Sequence, residues 1–403
     1  MASEGTPGQR SARMRAPVAE RVVLSVHLND QHLLSTNPDS RHLAFRERRY
    51  RHHRYHRSLP SRPNVRPAEE SIGALQNWSR QQIAAAALPI AQYDSYYVTD
   101  LERHEYEKPL LTAHITPLTP AIGAEIGGVD ITKLNDDAFE TIRQALTDYQ
   151  VVFFRDQPAL APEDQISFAR RFGDLHSHPA APHMKGHPEI FVIHAHRDSK
   201  VANGNGWHTD VSCDEKPPMG TMLQILQLPE TGGDTLWTST LAAYDALSEP
   251  MQRFLDGLNA RHESEHIYRG RYSDRGVNDD GRSYPSAVHP VVRTHPDSGR
   301  RSLYVNPSFT TRIQELAADE SAALLDYLYR HQQRPEFQVR FRWTPNAIAL
   351  WDNRSTQHFA LWDYWPEERR GHRVTIAGER PFFDPERQPD TEPPSIRRLA
   401  RRL

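Results

Sequence analysis

The chain has 403 residues, a quarter of them charged, and a formal net charge of −3. So even a balance gives no global pull toward nucleic acid or an acidic membrane surface, and no apolar run approaches the ~20 residues of a membrane span. One cysteine, Cys213, excludes an internal disulfide and fits a reducing, cytoplasmic setting.

Residues 1–108 are rich in Arg, His, Ser and Pro, lack sustained periodicity and carry a dense basic patch from Arg46 to Arg66, so they read as a disordered extension. Tyr50 and Tyr55 interleave with Arg48, Arg49, Arg51, Arg54 and Arg57, a pattern that could stack on RNA. A solvated tail is the simpler reading, and no nucleic-acid or membrane partner is assigned. The same composition is what a reading frame through upstream DNA would give if translation starts downstream. The run Val22 to Val26 is too short for the core of a signal peptide. Organised pattern occupies residues 109–384 as one domain, followed by a basic C-terminal tail, 385–403.

Within that domain, Leu110 to Ile131 reads as strand-rich, and a helix is expected near Asp136 to Asp148, with Ile142, Ala145 and Leu146 as its apolar stripe. Val151 to Phe154 reads as a buried strand, because β-branched and aromatic residues crowd a short apolar run. A helix from about Glu163 to Phe172 follows. Strands are expected around Ile190–His194, Met222–Leu228, Thr235–Ser239, Val288–Thr294 and Ser302–Val305, and a helix near Asp319–His331. Phe337 to Trp343 alternates strictly, and Thr344-Pro345-Asn346 is expected to turn it into Ala347–Trp351 as a hairpin. Many short strands with turns between them suggest a mainly β fold with flanking helices, a jelly roll.

His208-Thr209-Asp210 and the distant His358 supply two imidazoles and one carboxylate, the set that holds non-haem Fe(II) on one face and leaves the other open. In an extended strand His208 and Asp210 would point to the same side, with Cys213 on the opposite face as a small buried hydrophobe. Further on, Arg369 can fork onto a co-substrate carboxylate, and Arg373, at the start of Val374-Thr375-Ile376, can hold a second anion in the same cavity. The bland alternative for both is a solvated basic loop.

Four stretches together resemble the Fe(II)- and 2-oxoglutarate-dependent taurine/2,4-D dioxygenase family, the taurine branch most of all. They are Trp207 to Val211, Thr231 to Trp237, Trp351 to His358 and His372 to Ile376. The resemblance runs from about Leu110 to Phe383. It implies a cupin-like double-stranded β-helix, with His208, Asp210 and His358 ligating iron and Thr235 and Arg369 holding the distal carboxylate of 2-oxoglutarate. Dioxygen is the second co-substrate. It further implies that His178 and Arg373 meet a sulfonate head and that Phe309 walls the pocket, although His178 could instead cap a turn before Pro179 and Phe309 could equally be ordinary core.

The departures concern the substrate. Ala181 stands where the taurine enzymes carry tyrosine, Asn203-Gly204-Asn205-Gly206 replaces a more acidic stretch, and Ile267-Tyr268 replaces a Ser-Phe pair. An ammonium whose polar partners are missing pays on the order of 1–3 kcal/mol for each hydrogen bond left unmade, so taurine itself is a poor fit while a sulfonate or sulfate head is not. The expectation is a dioxygenase that hydroxylates the carbon next to sulfur of an organosulfonate and releases sulfite and an aldehyde. An alkyl-sulfate or aryloxyalkanoate oxygenase of the same fold is the nearest alternative. A non-catalytic cupin-like binding protein would not need all of His208, Asp210, His358 and Arg369, a zinc hydrolase would leave Thr235 and Arg369 without a role, and halogenation is disfavoured by the carboxylate at Asp210. A homo-oligomer is compatible with the sequence.

Overall fold

The computed structural model describes residues 113–390, apart from 179, 182, 274 and 275. The 1–108 extension and residues 391–403 of the tail lie outside the described residues. Among the described residues the strands in chain order are β1 (His114–Pro117), β2 (Ala124–Gly127), β3 (Val151–Phe154), β4 (Leu175–His176), β5 (His183–Met184), β6 (His187–Ala195), β7 (Gly220–Gln227), β8 (Thr235–Ser239) and β9 (Asn259–Glu263). Then come β10 (Ser286–Pro290), β11 (Val292–Thr294), β12 (Arg301–Leu303), β13 (Thr310–Ile313), β14 (Gln338–Phe341), β15 (Ile348–Asp352), β16 (Thr356–Ala360) and β17 (Arg369–Ile376).

The large sheet runs β1-β2-β3-β15-β7-β17-β6-β5, with β4 on β17, and a smaller sheet runs β14-β8-β16. Side-chain alternation tells which way each strand faces. In β3 and β15, Val152, Phe154, Ile348 and Leu350 pack with Ile142, Leu146, Ile166 and Phe168, apolar faces of the helices Asp136–Tyr149 and Pro162–Arg170. Their neighbours Val151, Phe153, Ala349 and Trp351 turn inward to meet Trp237 of β8 and Phe341 of β14. Phe153 stacks on Phe341 at 4.0 Å and Trp237 meets Trp351 edge-on at 5.6 Å, which closes the two sheets over one interior. The result is a double-stranded β-helix with its helices outside. No helix among the described residues is long and apolar enough to cross a membrane.

Three expectations are corrected. Phe337–Trp343 and Ala347–Trp351 do not form a hairpin: β14 pairs with β8, while β15 crosses to the large sheet between β3 and β7. The turn at Thr344–Asn346, with Asn346 at φ 62, therefore joins two sheets instead of two neighbours. Val288–Thr294 is not one strand: β10 ends at Pro290 after pairing with β9, β11 pairs with β12, and the two belong to different sheets. The segment around His208 is not an extended strand. Only His208 forms a bridge, opposite His358, and the chain turns at Val211, whose φ is 47. Strand alternation therefore does not apply to Cys213, which lies fully buried beside Tyr268 and Phe309 with its thiol pushed up to about 12 by burial.

Candidate active site

His208 and His358 are tied backbone to backbone: each N–H donates to the other's carbonyl, at 3.1 and 2.9 Å. That bridge sets the two imidazoles 4.1 Å apart, ring centre to ring centre. Asp210 enters because Asn353, just after β15, accepts the Asp210 N–H and donates to the Asp210 carbonyl, both at 2.8 Å. The Nε2 atoms of His208 and His358 lie 3.7 and 3.9 Å from Asp210 Oδ1, and all three ligand atoms fall within 4.8 Å of one another.

The protonation states suit a cation. Burial lowers the His208 imidazole, with Arg373 and Arg271 adding to it, and its Nδ1–H donates to Gly206 O at 2.8 Å, so Nε2 presents a bare lone pair. Burial lowers His358 further, aided by His208, and no described group partners its buried Nδ1. Burial alone would raise the Asp210 carboxyl. Arg373, both imidazoles and the Thr221 hydroxyl, which donates at 2.9 Å, outweigh it and hold Asp210 well below the usual carboxylate range. Two neutral imidazoles and one carboxylate converging from a jelly roll fit a divalent iron, which His208, Asp210 and His358 would hold.

A small cavity of about 40 Å³ leads from His208 and His358 to Thr235 and Arg369. Arg369 is buried at 2% exposure, and its guanidinium donates to Gly233 O at 3.1 Å and Thr235 Oγ1 at 3.4 Å and lies over the Trp343 ring, 5.6 Å from its centre. Burial lowers it to about 10, so it stays charged near neutrality without a carboxylate in contact among the described residues. Gly233 must be glycine here, since its φ is 72 and an added Cβ would come within 3.2 Å of the Arg369 Cδ.

Four residues after Arg369 on β17, Arg373 projects into the same interior about 13 Å further along. Its Nη1 lies 3.0 Å from Asp210 Oδ1, and its buried Nε has no hydrogen-bond partner among the described residues. A wider cavity of about 150 Å³ opens there, lined by His178, Phe191, Tyr268, Arg271, Tyr272, Phe309 and others besides Arg373. His178 Nδ1 accepts the N–H groups of Ala180 and Ala181, at 3.1 and 2.9 Å. Its proton is therefore on Nε2, and its pKa falls to about 3, because burial and then Arg373 disfavour the charge. His178 thus caps a turn through Nδ1 and also lines the cavity. Phe309 likewise is 4% exposed, packs against Tyr268 at 5.8 Å and forms a wall of the cavity.

The structure also brings in residues that the sequence did not single out. Asn353 lay inside a quoted motif, but its clamp on Asp210 spans 143 positions and leaves no local signal. Thr221 and Arg271 belonged to no motif. His295, Asp297 and Asp352 form a second cluster of ligand atoms, but Arg354 sits in it, 2.6 Å from both Asp352 Oδ2 and Asp297 Oδ2. That cluster is an ion-pair network that anchors the end of β15 beside Asn353.

A jelly roll enclosing this donor set, with a buried guanidinium free to take an anion at the end of an adjoining cavity, defines an α-ketoglutarate-dependent dioxygenase. The family described as taurine catabolism dioxygenase TauD, TfdA matches residues 114–375. The chain belongs to that family. It is 33% identical over 312 residues to an alpha-ketoglutarate-dependent sulfonate dioxygenase of Saccharomyces cerevisiae, covering 70% of this chain and 75% of the relative. It is 37% identical over 279 residues to an alpha-ketoglutarate-dependent sulfate ester dioxygenase of Pseudomonas putida, covering 67% and 91%. Among solved structures, a putative alpha-ketoglutarate-dependent taurine dioxygenase from Burkholderia xenovorans matches with a TM-score of 0.59 and 38% identity, over 69% of this chain and 97% of that one.

Proposed function

We propose that the protein uses Fe(II), 2-oxoglutarate and dioxygen to hydroxylate the carbon that bears the sulfur group of an organosulfonate or a sulfate ester. His208, Asp210 and His358 would hold the iron, and Arg369 with Thr235 the distal carboxylate of 2-oxoglutarate. Arg373 and the Nε2–H of His178 would meet the anionic head, with Phe309 walling the pocket. The observation that carries this reading is the buried, charged Arg369, which faces a cavity reaching the imidazoles and has no carboxylate in contact among the described residues. An anion arriving there gains a charge-assisted, fork-shaped contact in a low-dielectric site.

Iron and 2-oxoglutarate, when bound, activate dioxygen: one oxygen atom goes to succinate as CO2 leaves, the other to the substrate carbon. The protein's own residues orient the substrate. Arg373 and His178 fix the head so that the neighbouring C–H faces His208 and Asp210, and the aromatic wall keeps water out. A hydroxylated sulfonate then breaks its C–S bond to give sulfite and an aldehyde; a hydroxylated sulfate ester breaks its C–O bond to give sulfate and an aldehyde. Sulfonate and sulfate ester share one head chemistry, and a relative of each kind supports keeping both. Purified enzyme should release succinate in step with sulfite from alkanesulfonates, or with sulfate from alkyl sulfates. Succinate release that no member of either series stimulates would refute this assignment.

A further inference from the structure

The wider cavity carries more positive charge than one sulfur head requires. Among its described lining residues the sole carboxylate is Asp210, a proposed iron ligand, whereas two guanidiniums, Arg373 and Arg271, face the cavity. Arg271 lies on the segment after the helix Glu265–Tyr268 and is half-buried. Its Nη2 donates to Ala202 O at 2.8 Å and its Nε to Asn203 Oδ1 at 3.3 Å, both neutral acceptors, so its charge meets no carboxylate among the described residues. The lining also includes the apolar or aromatic side chains of Phe191, Val211, Ile267, Tyr268, Tyr272 and Phe309, alongside the uncharged polar Asn203, Asn205 and Ser308. A substrate with an ammonium end would place it near a guanidinium with no acid beside it among the described residues, and a plain alkyl end would leave the Arg271 charge unused.

We propose that Arg271 forms a second anion subsite, and that the preferred substrate carries a carboxylate or similar oxyanion separated from its sulfur head by a short apolar spacer. This rests on the sulfonate or sulfate-ester reading above and narrows it to a dianionic class. Nη1, which makes no hydrogen bond among the described residues, and Nη2 supply the donors, while the contacts to Ala202 and Asn203 hold the guanidinium in place.

The test compares three linear alkanesulfonates of equal chain length ending in methyl, ammonium or carboxylate, with kcat/KM read from sulfite release at saturating 2-oxoglutarate. The corresponding alkyl sulfates are read from sulfate release. Wild-type enzyme should favour the carboxylate end at least tenfold over either other end. In Arg271→Gln the ratio of carboxylate to methyl should fall at least tenfold, and Arg271→Lys should keep part of it. A wild-type preference for the methyl or ammonium end would overturn the proposal while sparing the sulfonate reading. So would an Arg271→Gln variant that loses activity on all ends alike, which is what a mere clasp on Ala202 and Asn203 would give. If Arg271→Gln does not fold, the wild-type series and Arg271→Lys decide by the same ratio. Turnover of none of these compounds would refute the underlying reading and this proposal together.

Discussion

Asp210 is held by Asn353 on its backbone and by Thr221 on Oδ2, while Arg373 Nη1 lies 3.0 Å from Oδ1, the oxygen that faces both imidazoles. The first of these is positional, because the Asn353 amide also donates to Pro218 O at 3.0 Å and so locks the turn between Asp210 and β7. Replacing Asn353 by Ala leaves buried backbone groups of Asp210 unpaired, which costs about 1–3 kcal/mol and loosens one ligand of three. Asn353→Ala should weaken Fe(II) binding about tenfold or more, measured by metal titration; unchanged affinity would show that Asp210 is placed by its own loop. His208→Ala and Asp210→Ala should abolish metal binding and turnover, since two ligands hold Fe(II) poorly at an open site. Normal succinate formation by the Fe(II)-reloaded variants would contradict the ligand assignment.

At the scale of elements, β17 does most to shape the site. Alternation puts Arg369, Gly371 and Arg373 on the interior face and Val374 and Ile376 against the helices. A Cβ at Gly371 would lie 2.5 Å from Gln224 O of β7, so β17 and β7 approach closely just between the two arginines. Gly371→Ala should destabilise the fold by about 1–3 kcal/mol and weaken both anion sites together; a denaturation midpoint equal to wild type would show that the sheet yields there. This strand also shows what the sequence could and could not disclose. The residue types at 208, 210, 358, 369 and 373 stand out because iron and carboxylate chemistry would use them, and the structure brings 208, 210 and 358 within ligand reach of one another. The path of the chain is less so: Phe337–Trp343 alternates and Ala347–Trp351 follows after a short turn, as in a hairpin, and only the packing of Phe341 on Phe153 and of Trp351 on Trp237 sends the two strands to different sheets. Nor could period two be told from a turn at His208–Asp210, where three residues fit either.

The whole molecule buries many imidazoles in neutral form. Burial lowers His178 to about 3 and His289 to about 4, and takes His262 well below its ordinary value. The unfolded chain binds protons on these rings from about pH 6.5 downward while the folded chain does not, so their contribution is complete above that pH and is lost as pH falls toward 3. The melting temperature should therefore drop from pH 7.5 to pH 5 in calorimetry; a flat or rising profile would mean that these rings are not buried neutral. Removing residues 1–108 should leave turnover intact, because the family match begins at residue 114 and every proposed site residue follows it; a folded truncate that fails to bind 2-oxoglutarate would contradict that. In the proposed reaction one strand, β17, would present Arg369 and Arg373 to two different anions. The most direct measurement is an anaerobic titration of Arg369→Gln and Arg373→Gln with Fe(II) and 2-oxoglutarate, following the metal-to-ligand charge-transfer band. Losing a buried charged partner costs about 3 kcal/mol, which should raise the 2-oxoglutarate requirement of Arg369→Gln roughly a hundredfold, while Arg373→Gln forms the band near wild-type concentration and fails to respond to added sulfonate or alkyl sulfate. Equal loss of the band in both variants would contradict the division of labour.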